Sequence, residues 1–306
     1  MSADTAKKGE KKQTPRTDHI VSGLIHGGRF RIALVNATDS VREAKARHNL
    51  DPMTTIALGR ALTCAALAGS NLKNNFEYIS LSFAGDGPIR QIVAEFIAPG
   101  SLRGFVGVPQ LATVIGKDDP VPEFVGEVLG EGTLTVRRAL EGGQPYSGVC
   151  KLRSGEIAED LAFYFLESEQ IPTTVIAGVQ LDKDGEVEAA AGLLIQKMGS
   201  DEEVGPLLDK IEDNLKDCLA VSKHIAAGET TASLAEKIFG REQGQSLDRK
   251  QIGFLCFCSR ERMEAGLLQI DINELKDIEK EHGKITTNCH YCGKTYDFQA
   301  SEFEKH

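Results

Sequence analysis

Four cysteines near the C-terminal end are the residues whose types and spacing could do chemistry. They read Cys256-Phe257-Cys258, then thirty residues, then Cys289-His290-Tyr291-Cys292. Zinc favours soft ligands at the corners of a tetrahedron, and two close thiolate pairs brought together by folding supply them. The second pair has ordinary zinc-knuckle spacing, with Gly293 behind it for a tight turn; the first pair is tighter than usual. The pattern predicts one Zn2+ per chain on Cys256, Cys258, Cys289 and Cys292. Four thiolates leave no open position for water, so hydrolytic metal catalysis is not expected. His282, His290 and His306 lie nearby and read as solvated side chains, not ligands.

Thiolate pairs also have redox chemistry. The Cα atoms of residues i and i+2 lie within roughly 7 Å, at the edge of disulfide range. A bridge between Cys256 and Cys258 is therefore possible but strained, hence easily reduced. Cys289 and Cys292 would close a CxxC ring. Residues 250–306 are about the number at which a core alone becomes marginal. Structural zinc can contribute roughly 10–16 kcal/mol of apparent binding energy to such a segment, and thiol oxidation would remove it. The residues alone favour a passive structural zinc ribbon over a switch. Cys64, Cys150 and Cys218 fall in apolar runs and read as small buried hydrophobes.

The rest of the chain narrows the function. At 306 residues it has room for two domains or one domain with an appendix. Its 41 % hydrophobic and 26 % charged residues are those of a soluble globular protein. The net charge of -10 tilts against nucleic acid as a partner. Nowhere do eighteen apolar residues run together, so no membrane span is expected. Residues 1–17 carry Lys7, Lys8, Lys11 and Lys12 without an apolar stretch and read as a disordered, solvated tail. Seven cysteines without a secretory signal place the protein in a reducing compartment, the cytoplasm. GxxxxGK[ST], HExxH and GxSxG are missing. Glu156, Glu159 and Asp160 read as a solvated helix start, so no catalytic group is assigned and the chain is not expected to be an enzyme.

The elements that must position the cysteines follow from periodicity. Residues 30–38 read as a strand, and the Ala- and Leu-rich 52–72 as a helix buried on nearly all sides. Strands are expected at 78–83 and 89–97, joined by the turn Gly85-Asp86-Gly87-Pro88, and at 104–108, 132–139 and 146–152. Residues 157–169 return to helical spacing, with Ser154 as expected N-cap. Strands at 173–181 and 187–197 follow. The class is α+β: a large sheet-and-helix domain over 18–198, a helical linker region over 199–249 and a small zinc-binding domain over 250–306. Within the linker region Val204, Leu207, Leu208, Ile211, Leu215, Cys218 and Leu219 mark one amphipathic helix. A second should begin at Ser233, three residues before Glu236, and residues 240–250 read as a polar connector.

The chain resembles the heat-shock protein 33 family. The likeness rests on Gly85-Asp86-Gly87-Pro88, the LRGFV run at 102–106, Tyr146-Ser147-Gly148, SGEIAEDLAFYFLESEQIPT at 154–173, AAGLLIQKM at 190–198 and the CFCSRER and CHYC segments. It departs from the family pattern at Phe257, often charged or polar there, and at Ala191, commonly glycine. The resemblance implies an ATP-independent holdase that is inactive while zinc occupies the four cysteines. It implies that oxidation forms the disulfides Cys256–Cys258 and Cys289–Cys292, releases zinc and unfolds the zinc domain with its linker. The oxidised form would be a homodimer that holds unfolding client proteins, the reduced form a monomer. Two other readings stand beside it: a zinc-ribbon protein of nucleic-acid metabolism and a CxxC thiol oxidoreductase. The first should carry Lys, Arg and aromatics at its knuckles, whereas Arg260 and Arg262 are offset by Glu261 and Glu264.

Overall fold

Two mainly apolar strands, FRIALVN and VEAAAGLLIQK, must be covered on both faces. The computed structural model, which describes residues 18–116, 122–199, 205–241, 243 and 247–304, supplies both covers. The tail over 1–17, Val204, His306 and residues 242 and 244–246 of the polar connector lie outside the described residues.

In chain order, the hairpin β1 (His19–Ile25) and β2 (Phe30–Asn36) leads into helices α1 (Thr38–His48) and α2 (Pro52–Ala68). Asp51 caps α2 by accepting from the Thr54 amide, and Pro52 takes the first turn, where no amide donor is needed. The meander β3 (Tyr78–Gly85), β4 (Gln91–Ile97) and β5 (Ser101–Val106) follows, then α3 (Val125–Leu129), β6 (Gly132–Ala139) and β7 (Tyr146–Lys151). Next come α4 (Ala158–Glu169) and the hairpin β8 (Thr173–Leu181) and β9 (Val187–Lys197). Helices α5 (Gly205–Lys216), α6 (Val221–Ala226) and α7 (Thr231–Phe239) precede the short strands β10 (Asp248–Gln251) and β11 (Gly253–Phe254). The chain closes with helices Arg260–Leu267 and Ile272–His282 and the hairpin β12 (Ile285–Asn288) and β13 (Thr295–Phe298).

The strands form a five-stranded sheet, β10-β1-β2-β9-β8, a six-stranded sheet, β11-β5-β4-β3-β6-β7, and the β12-β13 pair. Helix α2 runs between the large sheets, packed on β4 and β5 of one and β8 and β9 of the other. That placement is why its residues are buried around the whole helix. The alternation of β2 then divides the core. Ala33 and Val35 face α2, while Phe30, Ile32 and Leu34 face the opposite way. With Leu193 and Ile195 of β9, that outer face is closed by Ile211 and Leu215 of α5 and by Leu234 and Ile238 of α7. The protein is thus α+β: helices, sheet, helix, sheet.

Several local expectations are corrected. The structure adds a strand at His19–Ile25 and a helix at Thr38–His48 that periodicity does not mark, and Thr38 opens that helix instead of ending the preceding strand. Ser154 does not cap α4. Asp160 does: its carboxylate accepts from the amides of Arg153, Ser154 and Ile157, and it is fully buried, not solvated. Glu156 pairs with Arg60 on α2. Helix α7 begins at Thr231, not Ser233, because the Thr230 hydroxyl accepts from the Ser233 amide. Cys64 and Cys218 are buried, whereas Cys150 is only half-buried. The polar run read as a connector ends in β10, which pairs antiparallel with β1.

Candidate metal centre

Each cysteine pair leaves a strand end. Cys256 and Cys258 follow β11 and precede Ser259, whose side chain caps the helix Arg260–Leu267. Cys289 and Cys292 occupy the turn between β12 and β13. The Cys289 carbonyl accepts from the amides of Cys292 and Gly293, and the Cys289 amide donates to the Lys294 carbonyl. Gly293 has φ +68, and an added Cβ would sit 2.8 Å from the Arg47 carbonyl oxygen. Glycine is therefore needed for the turn and for its approach to α1.

The four Sγ atoms lie within 4.8 Å of one another. Cys256 to Cys289 is 3.7 Å and Cys258 to Cys292 is 3.4 Å. A tetrahedral Zn–S length of about 2.3 Å implies ligand separations of about 3.8 Å, so the constellation has the size of a four-thiolate metal site. All seven cysteines are free thiols. The sequence-predicted site residues thus come together as one cluster that could hold a metal ion.

The electrostatics favour a cation. Burial raises the Cys258 thiol, but the Tyr296 hydroxyl, 3.2 Å away, and the neighbouring thiols outweigh it and bring it to about 7. Burial pushes Cys292 up to about 12, and burial with the charge of Cys256 raises Cys289. The Cys258 thiolate forms readily, while Cys289 and Cys292 are held protonated until a positive charge offsets the burial and the neighbouring negative charge.

The site is fastened to the body by residues that the spacing of cysteines cannot reveal. The Tyr291 hydroxyl donates to Glu95 Oε1 of β4 at 2.7 Å, and the Arg103 guanidinium of β5 lies 4.1 Å over its ring. Phe105 meets the same ring edge-on at 5.5 Å, and His48 bonds the Tyr291 carbonyl oxygen at 3.2 Å. His290 is exposed against Phe105. The one signal available in the sequence was Tyr291 itself, a large amphipathic ring between two ligands that packs best against something.

The comparisons agree with this architecture. The family model described as "Hsp33 protein" matches residues 18–299. The curated "33 kDa chaperonin" of Desulforamulus reducens is 37 % identical over 292 residues, covering 94 % of this chain and 96 % of that one. That of Geobacter sulfurreducens is 36 % identical over 299 residues, covering 97 % of each. The crystal structure of the Thermotoga maritima 33 kDa chaperonin, a heat shock protein 33 homolog, matches with TM-score 0.83 and 34 % identity, over 94 % of this chain and 97 % of that chain. Fold and site together place the protein among chaperones built as a two-sheet α+β body with a terminal four-cysteine module. The chain belongs to the Hsp33 protein family. Among the described residues, no helix is long and apolar enough to cross a membrane.

Proposed function

We propose that the protein is a redox-regulated, ATP-independent holdase of the cytoplasm, switched at Cys256, Cys258, Cys289 and Cys292. The observation that carries this reading is the convergence of the four thiols at the end of a strip that edges both sheets. β10 pairs with β1, and β11 pairs with β5. The state of the cysteines is thereby tied to the surface of the body.

In the resting protein the four thiolates would hold one zinc ion, which supplies structural cross-linking and no chemistry on a substrate. Residues 250–306 then act as one folded switch unit. Peroxide is the chemical class of oxidant the step needs. Four thiolates and four protons react with two peroxide molecules to give two disulfides and four waters, so all four ligands are consumed together. Since every pair of Sγ atoms lies within 4.8 Å, distance does not choose the partners. The pairing Cys256–Cys258 and Cys289–Cys292 is supported by family resemblance and by the smaller chain rearrangement it needs. With the ligands gone, the small module core loses its cross-link, and the apolar face beneath α5 to α7 becomes available to unfolding chains or to a second copy. The reduced protein is a monomer and the oxidised one a homodimer on this reading. The acidic helix Ile272–His282 beside the site gives no support to a nucleic-acid role.

The test uses the full chain, reduced and zinc-loaded, with and without peroxide, in a light-scattering assay on a heat-unfolding client without nucleotide. Suppression only after peroxide, with release of one zinc per chain to a chromogenic chelator, is expected. Equal suppression by the reduced protein, or none after oxidation, refutes the switch.

A further inference from the structure

The contact that seats the terminal module on the body has the form of a filled binding site. Side chains alternate across a strand. Ile79, Leu81, Ala94, Phe96 and Leu102 belong to the core around α2, so Ser80, Ser82, Val93, Glu95, Arg103 and Phe105 lie on the opposite face of the six-stranded sheet. Register sets Glu95 between Ser80 and Arg103, and Val93 between Ser82 and Phe105.

Three groups on that face hold the Tyr291 ring, and each selects a different property of it. The Arg103 guanidinium lies 4.1 Å over the ring and selects a π face. Phe105 meets it edge-on at 5.5 Å and selects a flat aromatic. Glu95 Oε1 accepts from its hydroxyl at 2.7 Å. Arg103 bonds the other oxygen, Oε2, so among the described residues Tyr291 is the donor to Oε1. Glu95 is buried, and a buried acceptor left without its donor is costly. Once empty, the socket calls for a ring that carries a hydroxyl. Phenylalanine would meet two of its three demands and leucine none. Beyond the socket the face continues over Ser82 and Thr135, which pair in register and whose short side chains leave room for an extended chain.

We propose that Glu95, Arg103 and Phe105 form a binding site for a tyrosine side chain of an unfolding polypeptide, plugged by Tyr291 in the reduced protein. The proposal deepens the holdase reading above and rests on it for the step that vacates the socket. The occupant is argued from Tyr291, the side chain the socket already holds. Tyrosine also suits a site that must recognise unfolding, because folded chains keep most of that ring covered. While the four cysteines hold the module together, the plug is tethered and outcompetes any free chain. The reduced protein therefore holds no client here.

The experiment is a fluorine NMR titration of the full-length protein with a seven-residue glycine–serine peptide carrying fluorotyrosine at its centre. Reduced, zinc-loaded parent should not broaden the probe signal. Peroxide-treated parent should broaden it saturably, and so should reduced Tyr291→Ala, whose zinc content is measured alongside. Unlabelled peptides then compete: the phenylalanine analogue should bind about tenfold more weakly than tyrosine, the loss of one hydrogen bond to a carboxylate, and the leucine analogue not detectably. Arg103→Lys keeps a cation for Glu95 but removes the flat guanidinium, and should weaken binding several-fold in oxidised protein. Equal binding by reduced and oxidised parent, equal competition by leucine, or no effect of Arg103→Lys overturns the proposal. So does binding by Tyr291→Ala without binding by oxidised parent, because the socket then never opens to clients. The Tyr291→Ala arm needs no oxidant. Absence of tyrosine binding in both arms beside normal peroxide-activated holding removes this site alone, whereas failed holding beside a tyrosine-binding Tyr291→Ala removes the switch.

Discussion

Tyr291→Phe should loosen the terminal module from the body without removing a ligand. The hydroxyl lost is the one that donates to Glu95 Oε1 at 2.7 Å, and Glu95 is 7 % exposed. A hydrogen bond to a charged acceptor contributes roughly 1.5–3 kcal/mol. Arg103 still pairs with Glu95 and still covers the ring, so no carboxylate is stranded, and the lower half of that range applies. The docked-to-undocked ratio should therefore fall roughly 10–50-fold at about 1.4 kcal/mol per decade. Hydrogen exchange on the reduced, zinc-loaded protein reads this directly. Amides of β5 and of the last turn of α1 should exchange faster by that factor, with zinc content unchanged. Tyr296→Phe is the control, because its hydroxyl bonds Cys258 within the module. It should disturb the metal site and leave β5 protected. If protection of β5 is the same in Tyr291→Phe and the parent, the latch carries no docking energy and the reasoning fails.

Further expectations concern the other fastenings. Leu215→Asp places a carboxylate in the outer core, where Leu215 is 8 % exposed, and should cost about 3–5 kcal/mol in urea unfolding while giving client holding without oxidant. A destabilised but inactive reduced variant would show that α5 is not the cover. Gly293→Ala forces a left-handed backbone and a Cβ 2.8 Å from Arg47, so zinc should leave for a competing chelator at least several-fold faster; an unchanged rate contradicts the close approach. Asp18 is buried and pushed up to about 6 from an ordinary 3.8, so the folded state binds its proton more tightly than the unfolded chain does. Its contribution to stability is present below about pH 4 and lost as pH rises through about 6, on the order of 3 kcal/mol. Subtracting the pH profile of Asp18→Asn from that of the parent should show this fall, and a flat difference refutes it.

The cysteines were legible because their chemistry is local in sequence: two short motifs, each a turn, each with its soft ligands. The hairpin β8–β9, with β6, was equally legible from apolar and β-branched runs bounded by turn residues. What stayed hidden depends on contacts far apart in the chain. Asp160 looked solvated among Glu156 and Glu159, yet three amides of the preceding loop turn it inward. Asp248 to Lys250 reads as part of a polar connector because all three residues are charged, but an exposed edge strand tolerates charge and uses it. Helix α1 gave a weak signal because only Thr38, Ser40, Val41 and Ala44 are buried, a narrow stripe of small residues. The partners of Tyr291 lie roughly two hundred positions upstream, beyond the reach of any periodicity.

The order in which the structure can come apart follows from where its fastenings lie. The first cysteine pair hangs from the strip of β10 and β11, in which Ile252 donates to the Asp18 carbonyl, Gly253 to Gly100 and Leu255 to Leu102. The second pair is held by Tyr291 and by Gly293 against Arg47. The cluster of four thiols is what makes these two attachments one. Without it, the module keeps only a few buried side chains of its own, among them Leu275, Ile285, Phe298 and Phe303. The strain then falls on β10, four residues with no buried side chain, while Leu234, Ala235 and Ile238 of α7 remain fully buried in the outer core. On physical grounds β10 should peel from β1 before α5 to α7 leave the sheet. The β1 edge would open first and the apolar face later, so pairing of backbones precedes exposure of the core face.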